Sequence, residues 1–175
     1  MSSNKYQNSP KKNSQHQQTS SQQTSNQQTS TEEKKKSNWT SYGLDREAQR
    51  LVLAAKKRDE KSLNQSHVMR MTVPYGLERF WGEHLRLQVK EKDKSLYWKD
   101  TWDTFVKIMA QTGFVIPNLK VSVDNVNEIE KMSEELWKLS LDDQRVALAV
   151  LTQLCDCLVW WTQRYKGSKD IQSDD

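Results

Sequence analysis

Glycine and proline are scarce in this chain of 175 residues, which has five glycines and three prolines. The loops that cradle phosphates in the common nucleotide-binding motifs are rich in glycine, whereas these five glycines are scattered along the sequence. The sequence accordingly contains no Walker phosphate loop, no G-x-G-x-x-G fingerprint and no G-x-S-x-G turn. Because these signatures of enzymes are missing, we expect a protein that is not an enzyme.

Cysteine and histidine are also rare. Cys155 and Cys157 form a C-x-C pair without the second pair that a tetrahedral zinc site needs, and His16, His67 and His84 lie far apart. Residues two apart on a helix point to different sides, which disfavours a disulfide between the two cysteines. We therefore expect no metal, no other cofactor and reduced, buried thiols, which favour a cytoplasmic location.

Long apolar runs are missing as well. The most apolar stretch, residues 146–161, is interrupted by Thr152, Gln153 and Asp156, and a membrane span needs roughly 20 apolar residues. The N-terminus is polar where a secretory signal would have its apolar segment. The sequence thus predicts neither a membrane segment nor a signal peptide.

Apolar side chains are almost absent from residues 1–36, where Met1 and Tyr6 are the only ones. A Gln-Gln-Thr-Ser repeat recurs there three times with a period of five. Such a polar tract cannot bury enough surface to offset the entropy lost on ordering, so residues 1–37 are predicted to be a disordered, basic, low-complexity tail. A solubilising spacer is its simplest role, and an electrostatic tether to nucleic acid or a phosphorylated segment are the alternatives.

The net charge of +4 belongs to that tail, since residues 1–36 carry six lysines and two glutamates. The rest of the chain is balanced, with 21 basic and 21 acidic side chains. We therefore do not expect a generally basic domain. A helical domain is predicted at 38–167, followed by a short disordered acidic C-terminus at 168–175.

Apolar residues recur at helical spacing through the predicted domain. The last helix is apolar on nearly every side, which predicts a central position surrounded by the others. In the helix before it, Leu136 and Trp137 are predicted to face the core. The fold class is therefore all-α, a largely antiparallel bundle of five to six helices around an apolar C-terminal helix. Helices are predicted at 44–60, 66–72, 75–91, 95–111, 125–138 and 140–165, with an irregular segment at 113–124.

Helix ends are marked by capping residues. Gly113 is predicted to follow the end of the fourth helix. The predicted N-terminal caps are Ser66, Asp93 or Ser95, Asp124 and Ser140.

Basic residues are concentrated in the first helix and at the end of the last one. Arg46, Arg50 and Lys57 share one helix face, where they are placed to meet phosphates. Acidic residues are interspersed, so an ordinary solvated face is the alternative. The candidate nucleic-acid-binding residues are Arg46, Arg50, Lys56, Lys57, Arg58, Lys61, Arg164 and Lys166.

Adjacent tryptophans stand near the end of the last helix. Trp160 and Trp161 point about 100° apart, so we expect one in the core and the other exposed beside basic residues. An aromatic ring flanked by cations suits stacking with single-stranded nucleic acid and equally a protein hot spot, while packing of both rings in the bundle is the structural alternative. The candidate partner-binding residues are Trp98, Trp161 and Tyr165.

Two polar residues lie in apolar or charged helices. Asp156 interrupts the last helix and is expected to pair with an arginine of another helix, either Arg70, Arg79 or Arg86. Its alternative is an exposed strip shared with Thr152 and Gln153. His84 stands beside a glutamate and is predicted to be solvated.

These patterns indicate a non-enzymatic helical interaction subunit that docks into a larger protein or nucleoprotein assembly, with no small-molecule substrate. The alternative is an accessory subunit of a ribonucleoprotein or defence complex that binds RNA or single-stranded DNA, an analogy of size and shape. A third hypothesis is a small enzyme with a site near His67, His84 and Asp156.

Overall fold

The structure, a computed structural model, describes residues 41–166. The predicted tails at 1–37 and 168–175 lie outside the described residues. Within the described range the chain forms six α-helices and no β-strand, which confirms the all-α helical bundle. The helices are α1 (Ser41–Arg58), α2 (Gln65–Thr72), α3 (Leu77–Leu87), α4 (Lys92–Gln111), α5 (Val126–Trp137) and α6 (Leu141–Tyr165).

Two short 3-10 turns account for the observed end of α1 and the observed start of α3. The first, Glu60–Asn64, begins where the Asp59 carboxylate accepts a hydrogen bond from the backbone N–H of Lys61. The second, Val73–Tyr75, occupies the predicted start of the third helix. Gly76 then adopts a φ of +109°, a conformation that favours glycine, and α3 starts one residue later.

The capping predictions were right at Ser140, whose hydroxyl accepts from the backbone N–H of Asp143, and at Gly113, which has a φ of +86° after the end of α4. The others were wrong. Asn125, and not Asp124, caps α5, and α4 begins at Lys92 without a side-chain cap. Ser66 and Ser95 lie inside helices with buried hydroxyls, because each serves a contact between helices.

Two helix pairs fix the directions in the bundle. α3 and α4 form an antiparallel hairpin, in which Ser95 donates a 2.6 Å hydrogen bond to the His84 carbonyl near the turn. α1 and α6 instead run in the same direction, since Asp45 lies beside Cys157 and Lys56 bonds to Tyr165 further along both helices. The predicted antiparallel arrangement therefore fails for this pair.

A group of buried hydroxyls joins three helices. The Ser66 hydroxyl of α2 lies 2.8 Å from that of Tyr97 in α4 and 2.7 Å from that of Thr162 in α6. All three side chains are buried, so each depends on the others for a hydrogen-bond partner. Burial raises the pKa of Tyr97 to about 12, which keeps its hydroxyl protonated.

The expectation that α6 is surrounded on every side was wrong. Its buried residues occupy one face: Ala147, Val150, Leu151, Leu154, Cys155, Leu158 and Thr162. The opposite face is exposed at intervals of three and four: Val146, Ala149, Gln153, Asp156, Trp160 and Gln163. α6 packs mainly on α1 and α2 and also contacts α3 and α4, with one face left exposed. By length and composition alone it is the one helix in the described range that could cross a membrane, a test that the core helix of a soluble protein also passes.

Candidate interaction surfaces

The outer face of α1 carries basic residues, as predicted. Arg46, Arg50 and Lys57 are exposed, with the half-exposed Leu53 between them. Apolar residues spaced three and four apart hold the opposite face of the helix in the core: Leu44, Ala48, Leu51, Val52 and Ala55.

Three of the six candidate basic residues between Arg46 and Lys61 form ion pairs with nearby carboxylates. The pairs are Arg50 with Glu47 at 2.7 Å, Lys56 with Glu60 at 2.8 Å and Arg58 with Asp100 at 2.7 Å. Within residues 41–166, no carboxylate pairs with Arg46, Lys57 or Lys61. These three cations therefore keep their charge available to a ligand.

The end of α6 carries an aromatic cluster. Trp161 stacks against Tyr165 with ring centroids 5.7 Å apart and planes 14° from parallel, and both rings pack against the core. Trp160 meets Trp161 edge to face and is 45% exposed. The guanidinium of Arg164 lies over the Trp160 ring. The expectation of one inner and one outer tryptophan is thereby confirmed.

Two hydrogen bonds join this cluster to the basic helix. The side-chain amide of Gln49 donates to the Tyr165 hydroxyl at 2.8 Å. The Lys56 ammonium donates to the Tyr165 carbonyl, one of the last in α6 and thus without a partner in its own helix. Lys56, one of the predicted basic residues, is therefore brought to the end of α6, where Arg164 and Lys166 lie, whereas Arg50 and Arg58 contact α4. We call this the α1–α6 surface, formed by Lys56, Lys57, Trp160, Arg164, Tyr165 and Lys166 and flanked along the chain by Lys61.

The predicted partner-binding residues need correction. Trp98 is fully buried and donates its indole N–H to Gln65 at 2.9 Å, so it presents no surface to a partner. Trp161 and Tyr165 are half-buried, and the Trp161 indole N–H finds no acceptor among the described residues. Trp160 is the exposed aromatic residue of this region.

Asp156 pairs with Arg70, the first of the three predicted partners. The prediction of burial was wrong, because Asp156 lies on the exposed face of α6 beside Gln153. Both interpretations of Asp156 therefore apply: it lies on an exposed strip, and it forms an ion pair with an arginine. The ion pair joins solvated groups on α2 and α6.

A second surface, which the sequence did not reveal, is a groove near the N-terminal end of α6. Its volume is about 320 Å³, and Tyr75 and Trp137 line it with 67% and 65% of their surface exposed. Trp137 was predicted to face the core, but Leu136 takes the buried position. The remaining lining residues are Gly76, Leu77, Glu78, Arg79, Leu136 and Gln144. We call this surface the Tyr75–Trp137 groove.

The charges around the groove differ from those of the α1–α6 surface. The Arg79 guanidinium lies 5.7 Å from the centre of the Tyr75 ring. α5, which supplies Trp137, carries four glutamates and one lysine, and the first turn of α6 adds Asp142 and Asp143. Glu135 pairs with Lys138 and Asp142 with Arg145, so the excess of negative charge at this end comes from the remaining carboxylates.

The remaining chemistry-bearing residues do not form a common site. In the described part of the chain no three His, Cys, Asp or Glu side chains are placed to hold a metal. His84 was predicted to be solvated but is buried, its Nδ1–H donates to the Trp81 carbonyl, and burial lowers its pKa. Burial, with the nearby Asp45 carboxylate, raises the pKa of the free Cys157 thiol to about 12.

No family model matches the chain, and the searches of curated proteins and of solved structures return no match either.

Proposed function

We propose that this protein is a non-enzymatic interaction subunit that docks into a larger assembly through the Tyr75–Trp137 groove. The observation that supports this most directly is the exposure of two large aromatic rings, at 67% and 65%, on the walls of one groove. Tyrosine and tryptophan are the residues that most often anchor protein interfaces, and monomeric proteins usually bury them.

Burial energetics favour a partner at this groove. An aromatic side chain buries about 150–250 Å², so covering the exposed part of either ring is worth roughly 3 kcal/mol. Two such anchors beside each other are enough for the centre of a stable interface, provided that the rim excludes water.

The charge of the groove specifies the chemistry of the partner. Glu78 lines the groove, and Glu134 and Asp143, which are near its lining residues in the sequence, form no ion pair within residues 41–166. A complementary segment therefore combines an apolar or aromatic anchor, which fills the groove, with arginine or lysine side chains at its rim.

The proposal is tested by recovering the partner and measuring its affinity. The full chain is purified from its source cells after reversible crosslinking, as wild type, as Trp137→Ser and as Trp160→Ser. Trp160 is an exposed tryptophan outside the groove and provides the matched control. We expect wild type and Trp160→Ser to retain one common partner, with at least about a tenfold weaker affinity of the purified pair for Trp137→Ser. Equal affinity of the three proteins, or recovery of no partner, would contradict the proposal.

The alternative function, binding of RNA or single-stranded DNA, concerns the α1–α6 surface. The cytoplasmic location expected from reduced thiols stays a prediction.

A further inference from the structure

We infer that the α1–α6 surface is a second binding site, for single-stranded nucleic acid, with phosphates held by its lysines and a base stacked on the Trp160–Arg164 pair. This inference is independent of the proposed docking function. The groove adjoins Gln144, and the α1–α6 surface adjoins Tyr165. These positions are about 30 Å apart along α6, since an α-helix rises 1.5 Å per residue.

Three lysines at this surface are not neutralised by an ion pair, although the helix also contains acidic residues. Lys57, Lys61 and Lys166 form no ion pair within residues 41–166. Two of the neighbouring carboxylates are paired with other cations, Glu47 with Arg50 and Glu60 with Lys56. Asp59 accepts hydrogen bonds from the neutral Lys61 backbone N–H and Ser62 hydroxyl and keeps its charge, so it offsets only one of the free cations. A phosphate therefore meets a positive surface here even though the domain as a whole is close to neutral.

The stacking element is held in place before any ligand binds. Trp160 meets Trp161 with ring centroids 4.9 Å apart and planes at 84°, so the inner ring supports the outer one. The Arg164 guanidinium lies over the Trp160 ring, and guanidinium and indole planes both stack with nucleobases. A base can stack on the outer side of the Trp160–Arg164 pair, or it can replace the guanidinium on the Trp160 ring. Either arrangement buries the exposed part of Trp160.

The ligand is single-stranded because the exposed ring can only stack on a base that is free of its own duplex neighbours. The sequence preference is expected to be weak, since every base has a π face and the site offers cations and rings in place of a hydrogen-bonding code. Three phosphate contacts through lysines contribute about −2 to the slope of log affinity against log salt, at roughly 0.7 per contact.

The experiment measures binding of the full chain to fluorescein-labelled oligo(U) and oligo(dT) of about 20 nucleotides, at salt concentrations from about 50 to 200 mM. Two triple variants are compared, each of which removes three positive charges. The first is Lys57→Gln/Lys61→Gln/Lys166→Gln. The second is its control, Lys107→Gln/Lys120→Gln/Lys131→Gln, which alters exposed lysines elsewhere on the domain. Every protein keeps the same N-terminal tail, so a contribution of the tail is common to all.

We expect the first triple variant to lose at least about tenfold in affinity at the lower salt concentration and to reduce the salt slope by about 2, while the control stays within about twofold of wild type. Trp160→Leu should weaken binding by at least about fivefold, and Trp137→Leu, in the groove, should leave it unchanged. Equal losses in both triple variants, an unchanged affinity of Trp160→Leu, or no binding by wild type at low salt would each overturn the inference. Helical circular dichroism identifies any variant that fails to fold, and Trp160→Phe then replaces Trp160→Leu with the same expected direction.

Discussion

The side-chain amide of Gln49 donates a hydrogen bond of 2.8 Å to the hydroxyl of Tyr165, and this bond joins the first described helix to the end of the last one. Tyr165 also stacks on Trp161 and accepts the Lys56 ammonium at its carbonyl. A single residue thus ties the basic helix to the aromatic cluster, and the α1–α6 surface depends on it.

Removing the Tyr165 hydroxyl alone tests the hydrogen bond between Gln49 and Tyr165. Tyr165→Phe keeps the stacked ring and leaves Gln49 able to turn toward water, so the free energy of unfolding should fall by about 1 kcal/mol. Urea denaturation followed by circular dichroism measures the change. Adding Gln49→Ala to the Tyr165→Phe variant should lower the free energy of unfolding little further, because the hydrogen bond between the two side chains is already lost. If the two substitutions lower the free energy of unfolding additively, the contact contributes nothing to stability.

The hydroxyl group of Ser66 should contribute more, because it is buried. Ser66→Ala leaves the hydroxyls of Tyr97 and Thr162 without the oxygen that bridges them, and we expect the free energy of unfolding to fall by about 1–3 kcal/mol. Ser122→Ala is the control, since Ser122 is exposed, and it should change stability by less than about 0.5 kcal/mol. Equal effects in chemical denaturation would mean that the bridge is not a stabilising feature.

The helices could be predicted from the sequence because their apolar residues repeat with helical spacing, and every predicted helix exists in the described range. The sequence did not determine which of two adjacent apolar residues is buried. Leu136 and Trp137 are adjacent apolar residues at a helix end, and the pattern does not tell which one the core accepts. Helical spacing likewise gives no helix direction, so the parallel pairing of α1 with α6 was missed.

Burial of polar side chains was the other source of error. Ser66 and His84 were assigned to a cap and a solvated face because serine and histidine usually occupy such places. Both are buried, since partners distant in sequence or on the backbone satisfy their hydrogen bonds. Neither kind of partner is apparent from the local pattern of polar and apolar residues, and the Tyr75–Trp137 groove was unpredictable for the same reason.

The buried His84 should make stability depend on pH. Its pKa is lowered in the folded state by burial, from an ordinary value of 6.5, so the unfolded chain takes up the proton first as the pH falls. Stability should therefore decline as the pH drops below about 6.5, and this part of the decline should be absent from His84→Gln. Denaturation midpoints of wild type, His84→Gln and the exposed-site control His67→Gln, measured from pH 7.5 to about pH 5, test this. An identical decline in wild type and His84→Gln would assign it to other groups.

The ion pair between Arg70 and Asp156 should contribute little to stability. Both side chains are partly solvated, so Asp156→Asn is expected to lower the free energy of unfolding by less than about 1 kcal/mol, with the difference disappearing at high salt. A buried pair would lose about 3–5 kcal/mol on the same substitution, largely independent of salt. Urea denaturation at low and high sodium chloride distinguishes the two, and a large loss insensitive to salt would contradict the exposed position of Asp156.

Docking through the Tyr75–Trp137 groove is tested most directly by photo-crosslinking from position 137 in the full chain in its source cells. A photoreactive phenylalanine derivative replaces Trp137 in one protein and Trp160 in another. We predict one discrete crosslinked partner from position 137, absent from position 160, with basic residues beside the crosslinked site of the partner. A partner captured only from position 160, or no crosslink from position 137, would contradict the account.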